Sequence, residues 1–146
     1  LDYTGDGRAR YDRIAMLHLK TERGVLGDVV QDVVTLPPHK SARIQGIRGA
    51  VEWQCQASPY TDFVRFATES GVNETVFEKT RPDDFIQELD HIEQAIDSEP
   101  ESPISIERGL DTMLVIAAGH LSARLGRKVE IDWSQGYRAD ALRPVQ

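Results

Sequence analysis

The sequence predicts an α+β fold: an open, predominantly antiparallel sheet with two helices packed on one face. Three observations carry this. Short apolar runs separated by Gly or Pro fill the first three-fifths of the chain. The spacing between them is too short for parallel crossovers, which need a dozen residues or more. After residue 82 the apolar period switches from two to that of a helix.

The first strand is expected over 13–21, with Ala15, Leu17 and Leu19 on one face and Met16, His18 and Lys20 on the other. Thr21-Glu22-Arg23-Gly24 reads as a turn, with Gly24 free to take positive φ. A valine-rich strand over 25–36 closes the hairpin, and Pro37-Pro38 ends the ladder because neither residue has an N–H to donate. Further strands are expected over 41–47, 50–57, 61–68 and 73–80, punctuated by Gly46, Gly49, Pro59 and Gly71.

Phe85, Ile86, Leu89, Ile92 and Ile96 then form a helical stripe over 83–97, with Pro82 at its start and Asp83 and Asp84 at the positive end of the helix dipole. A loop over 98–103 leads to Ser105, which can cap a second helix whose stripe is Leu110, Met113, Leu114, Ala117, Leu121 and Leu125. Gly126 suits the residue just past that helix. A last strand is expected over 128–133, with an irregular tail beyond. The two helices cover one sheet face. The other carries Val, Trp and Phe by alternation, and an open face of this kind meets a partner.

The 146 residues, 40% apolar and 28% charged, suit one compact domain rather than a disordered chain. No apolar run approaches the ~20 residues of a membrane-spanning helix. The net charge of −7, with basic residues scattered among more numerous acids, argues against a nucleic-acid partner. The single cysteine, Cys55, reads as a small core residue and points to a reducing, cytoplasmic setting. Leu1 in place of methionine, with no signal sequence after it, suggests a piece of something longer.

Motifs that imitate chemistry fail on inspection. Asp2-x-Thr4-x-Asp6-Gly7 starts like a calcium loop, but Arg13 stands where the bidentate glutamate belongs. Gly5-x-Gly7 has Arg10 at the third glycine of a dinucleotide loop, and Gly46-x-x-Gly49 reads as a hairpin turn. His18, His39, His91 and His120 have no partners at ligand spacing, although His91 and His120 fall on the two helices. The acids of the first helix read as a solvated face, and no catalytic triad order occurs. Pro38-His39-Lys40 with Arg43 forms a cationic loop beside a sheet edge, against the plainer reading of a solvated hairpin connection.

From Arg13 onward the chain resembles the C-terminal domain of the glucose–fructose oxidoreductase and inositol dehydrogenase (Gfo/Idh/MocA) superfamily. The likeness lies in Ile44-x-Gly46-x-x-Gly49-x-x-Glu52, in Phe85-Ile86-x-Glu88-Leu89-x-x-Ile92-x-x-Ala95-Ile96, and in a third stretch. That stretch is Pro103-Ile104-Ser105-Ile106-Glu107-Arg108-Gly109-Leu110, then Val115-Ile116-Ala117-Ala118 and Ser122, closing with Gly126-Arg127-Lys128-Val129-Glu130-Ile131. The set spans about nine-tenths of the chain. The resemblance implies an enzyme that moves a hydride between NAD or NADP and a sugar, inositol or related polyol. In such an enzyme an N-terminal Rossmann domain holds the nucleotide.

Residues 1–146 would then be a single substrate-shaping and oligomerisation domain without that Rossmann half. The fragment would bind no cofactor itself and be inactive in isolation. The family's catalytic D-x-x-x-H helix has no counterpart, because Ile14, Thr35, Gln87 and Ile116 stand four residues before the histidines. Glu78-Lys79-Thr80 is not the family's E-K-P segment, which belongs to the nucleotide half. No catalytic residue carries over. The substrate contacts expected are His39, Lys40 and Arg43, whose donors suit hydroxyl or carboxylate groups. The expected partners are further copies of the chain through the open sheet face, and a small-molecule substrate in the parent enzyme. Two other readings stay open: a stand-alone open-sheet binding module, and a cone-shaped nuclear-transport-factor-like enzyme, whose helices usually precede most of the strands.

Overall fold

The computed structural model describes residues 2–4, 11–98 and 102–145. The fold is α+β with open antiparallel sheets. Asp6 and Gly7 of the calcium-like motif, the Gly5-x-Gly7 pair and residues 99–101 of the inter-helix loop lie outside the described residues. The described strands form three sheets, and the chain divides into two compact units.

One unit holds β1 (Asp2–Thr4), β2 (Tyr11–Lys20) and β3 (Leu26–Asp32), in the order β1-β2-β3. It also contains helix α2 (Ile106–Leu125) and the pair β8 (Val129–Ile131) and β9 (Leu142–Pro144). Between Tyr3↔Asp12 and Asp2↔Ile14 the register slips by one residue, a bulge at Arg13. The half-buried positions of β2 are Asp12, Ile14, Ala15 and Leu17, so the alternation shifts between Ile14 and Ala15. Helix α2 presses on β2 so closely that a Cβ on Gly119 would lie 2.5 Å from Leu17 Cδ2.

Ser105 caps α2 by accepting from the Arg108 N–H at 3.4 Å. Gly126 takes φ 62°, and its N–H donates to the Ser122 carbonyl. The buried face of α2 is carried by Leu114, a member of the expected stripe, and by Ala118, while Leu110 and Met113 of that stripe are exposed. The irregular tail contains β9, which pairs Leu142 with Ile131, and Ala141 beside it is fully buried.

The second unit holds β4 (Lys40–Gly46), β5 (Gly49–Ser58), β6 (Thr61–Thr68) and β7 (Gly71–Glu78), a meander in chain order, followed by α1 (Asp83–Ser98). The two prolines that separate β3 from β4 supply no N–H for a ladder. Strand bounds agree with the sequence reading to within a few residues. No residue of α1 is buried, and Phe85, Leu89 and Ile96 of its apolar stripe are exposed.

The chain exposes 12398 Å². Two separate compact units of half its mass would together expose only about 9,000 Å². Many large apolar side chains are exposed, among them Leu36, Ile44, Ile47 and Leu89.

Candidate functional surface

The β4–β7 meander fixes which side chains share a face. Residues paired directly across antiparallel strands stand side by side. The register places Arg43 opposite Glu52, Glu52 opposite Arg65, and Arg65 opposite Glu74. One row of alternating charge therefore crosses all four strands. Arg43 Nη1 lies 3.6 Å from Glu52 Oε1, and Arg65 Nη1 lies 3.5 Å from Glu52 Oε2. Arg65 Nη2 and Nε lie 2.7 Å and 2.9 Å from Glu74 Oε2. Ala50 and Ala67, paired with one another, stand beside the middle of this row.

The opposite face is apolar at its centre, across β4 to β6, and its two rows end in Thr75 and Asn73 on β7. It carries Ala42, Trp53 and Val64 in one row and Ile44, Val51 and Phe66 in the next. Ile44 and Phe66 are exposed. The Lys40 ammonium sits 5.8 Å from the Trp53 ring centroid on this side, a cation–π contact.

At one end of the meander the β5–β6 register breaks between Gln54 and Ser58, with Gln56 at φ 52° and Tyr60 at φ 69°. Such left-handed backbone in residues other than glycine needs support from its surroundings. Asp62 supplies it: Oδ1 accepts the Gln56 N–H at 2.8 Å, while Oδ2 takes the Lys79 ammonium at 2.9 Å. Lys79 also reaches Asp84 in the first turn of α1, at 3.0 Å. Asp62 shares the face of Trp53, Val64 and Phe66 by alternation, so α1 begins on the side of this sheet that was expected to be open, and the helix-free side is that of the charged row. The Asp62 and Lys79 side chains are 17% and 19% exposed, the least exposed of the ion pairs among the described residues. The Gln56 N–H, followed by Lys79, holds the Asp62 carboxyl below its ordinary pKa. Asp62 and Asp84 in turn hold the Lys79 ammonium well above the usual lysine range.

Of the expected substrate contacts, His39 and Arg43 fall on the charged-row side and Lys40 on the apolar side. His39 Nε2 is 2.9 Å from Ser41 Oγ. Arg43 donates to Gln45 Oε1 at 2.9 Å as well as facing Glu52. The three donors therefore do not converge on one point. Glu52, Arg65, Glu74, Asp62 and Lys79 are the residues that sequence reasoning passed over. A shallow depression of about 630 Å³ opens at the turn end of the sheet, lined by Ile47, Arg48, Gly49, Phe66, Thr68 and Glu69.

In the other unit, His120 Nε2 on α2 lies 3.3 Å from Asp12 Oδ2 on β2. The Tyr137 hydroxyl donates to Asp111 Oδ1 at 3.0 Å and to the Glu107 carbonyl at 3.2 Å, and Asp111 pushes the phenol pKa up. No group of three His, Cys, Asp or Glu suited to a metal occurs among the described residues. The described residues do not fit a dinucleotide either. Gly46 and Gly49 close the β4–β5 hairpin, and carboxylates (Asp83 and Asp84, then Glu107) occupy the first turns of α1 and α2, where a pyrophosphate would sit. No described helix is long and apolar enough to cross a membrane. No family model, curated protein or solved structure matches the chain.

Proposed function

We propose that the chain is the substrate-shaping and assembly portion of an NAD(P)-dependent oxidoreductase of the Gfo/Idh/MocA type, acting on a sugar, inositol or related polyol in the cytoplasm. The observation that carries this reading is the agreement of three motif stretches with three built elements. Ile44-x-Gly46-x-x-Gly49-x-x-Glu52 spans the β4–β5 hairpin. The Phe85-to-Ile96 stretch is α1. The Ser105-to-Ile131 stretch is the capped helix α2 with β8 after it. In this reading NAD or NADP and the proton-transfer residues belong to a nucleotide-binding half outside these 146 residues. The present chain contributes substrate contacts from His39, Lys40 and Arg43, and self-association through the helix-free face of the open sheet.

The experiment is a comparison of two proteins under one assay. The natural protein from its source is expected to interconvert NAD(P)⁺ and NAD(P)H with a panel of sugars and polyols. The purified 146-residue chain is expected to show no turnover. Turnover by the 146-residue chain, or absence of nucleotide binding by the natural protein, would overturn the proposal.

A second reading is a non-catalytic open-sheet binding module. It is favoured by the failure of the three donors to converge and by the large exposed apolar area. It predicts that the natural protein captures a protein or small ligand and binds no nucleotide.

A further inference from the structure

We infer that the row Arg43–Glu52–Arg65–Glu74 is a self-recognition code, which mates face to face with the same row of a second copy about a two-fold axis parallel to the strands. The argument is one of symmetry. A two-fold axis along the strands reverses the order of strands in the facing copy. The row then reads plus, minus, plus, minus in one copy and minus, plus, minus, plus in the other. Arg43 comes to face Glu74 of the second copy, and Glu52 comes to face Arg65. An axis along the row itself would instead set Arg43 against Arg43 and each like charge against its twin. The pattern thus admits one orientation and rejects the other.

The surroundings suit this use. The tether from Lys79 to Asp84 starts α1 on the opposite face, so no first turn of that helix stands before the row. On one side the middle of the row is bordered by Ala50 and Ala67, which leave room for close approach, and on the other by Gln54 and Phe63, the Phe63 ring lying 5.1 Å from the Arg65 guanidinium. Each charge already has a cross-strand partner within its own chain, at 2.7 to 3.6 Å. Mating adds a second partner from the facing chain. Because burying charge costs desolvation energy, the row contributes orientation and partner choice more than affinity.

The inference rests on the proposed self-association of the open sheet, and not on the dehydrogenase assignment. Its test uses a row-reversed chain carrying Arg43→Glu, Glu52→Arg, Arg65→Glu and Glu74→Arg, which keeps composition and net charge. Sedimentation measures whether each chain self-associates. Native mass spectrometry of isotopically labelled wild type mixed with the reversed chain then counts mixed dimers. Both chains are expected to form homodimers, with mixed dimers at least about tenfold below the binomial proportion, because every facing pair in them is like-charged. The fourfold reversal keeps every cross-strand pair within the chain complementary. A second readout uses a Cys55→Ala background: Arg43→Cys mixed with Glu74→Cys is expected to give disulfide-linked dimers and Arg43→Cys alone is not, and equal yields from the two samples would overturn the arrangement. Homodimers that mix freely would overturn the charge code while leaving self-association intact. Wild-type chain that stays monomeric at every concentration would overturn both.

Discussion

Gly119→Ala sets two effects of known size against each other. In a helix interior, alanine is favoured over glycine by about 0.8–1 kcal/mol. At this position, however, the new methyl would stand 2.5 Å from Leu17 Cδ2 on β2. Overpacking of this kind costs about 1–3 kcal/mol. Since the atom struck is the tip of a flexible side chain, the lower half of that range applies, and the single change is expected to destabilise by roughly 0–1 kcal/mol. With Leu17→Ala in place the collision is gone, and the same Gly119→Ala should stabilise by about 1 kcal/mol. The double-mutant cycle is therefore expected to return a coupling of about 1–2 kcal/mol. Urea unfolding read by Trp133 fluorescence in a Trp53→Phe background confines the signal to the unit that holds both residues. Additivity within about 0.5 kcal/mol would refute the helix–strand contact.

Ser105→Ala removes the side-chain acceptor for the Arg108 N–H and should cost about 0.5–2 kcal/mol in the same unfolding assay. Asp132 is held below its ordinary pKa by the Ser134 hydroxyl first, then the Ser134 N–H, Arg143 and Gln135. Its contribution is therefore present above the unfolded carboxyl pKa and lost as pH falls through the folded one. The stability gap between wild type and Asp132→Asn should be full at about pH 6 and shrink progressively as pH falls below about 4. Lys79→Met cuts both bridges at the start of α1, so hydrogen exchange should quicken in the first turns of α1 and stay unchanged in the β4–β5 hairpin near Ile44 and Val51.

What was legible in the sequence was local. The Gly46–Gly49 turn, the Ser105 cap and the Gly126 terminus are each written within a few residues, and all three stand where expected. The contact face of α2 was legible in part: Leu114 of the expected stripe is buried, but Leu110 and Met113 are exposed, and the close approach of β2 at Leu17 falls at Gly119 beside the buried Ala118, which a stripe drawn on large apolar residues passes over. Strand β9 is too short for any period and exists through its pairing with Val129, Glu130 and Ile131. The charged row joins residues from successive hairpins and emerges only when every register is fixed. The separation of Lys40 from Arg43, by contrast, could have been read: an odd spacing along one strand puts two side chains on opposite faces.

The central claim is most directly tested by the intact mass of the natural polypeptide in its source cells, with peptide sequencing of any residues joined to Leu1. The account predicts a chain well above 16.4 kDa whose additional sequence contains a strand, a Gly-x-Gly-x-x-Gly turn and a helix. A natural product of about 16.4 kDa with no such segment would contradict it and leave the binding-module reading in its place.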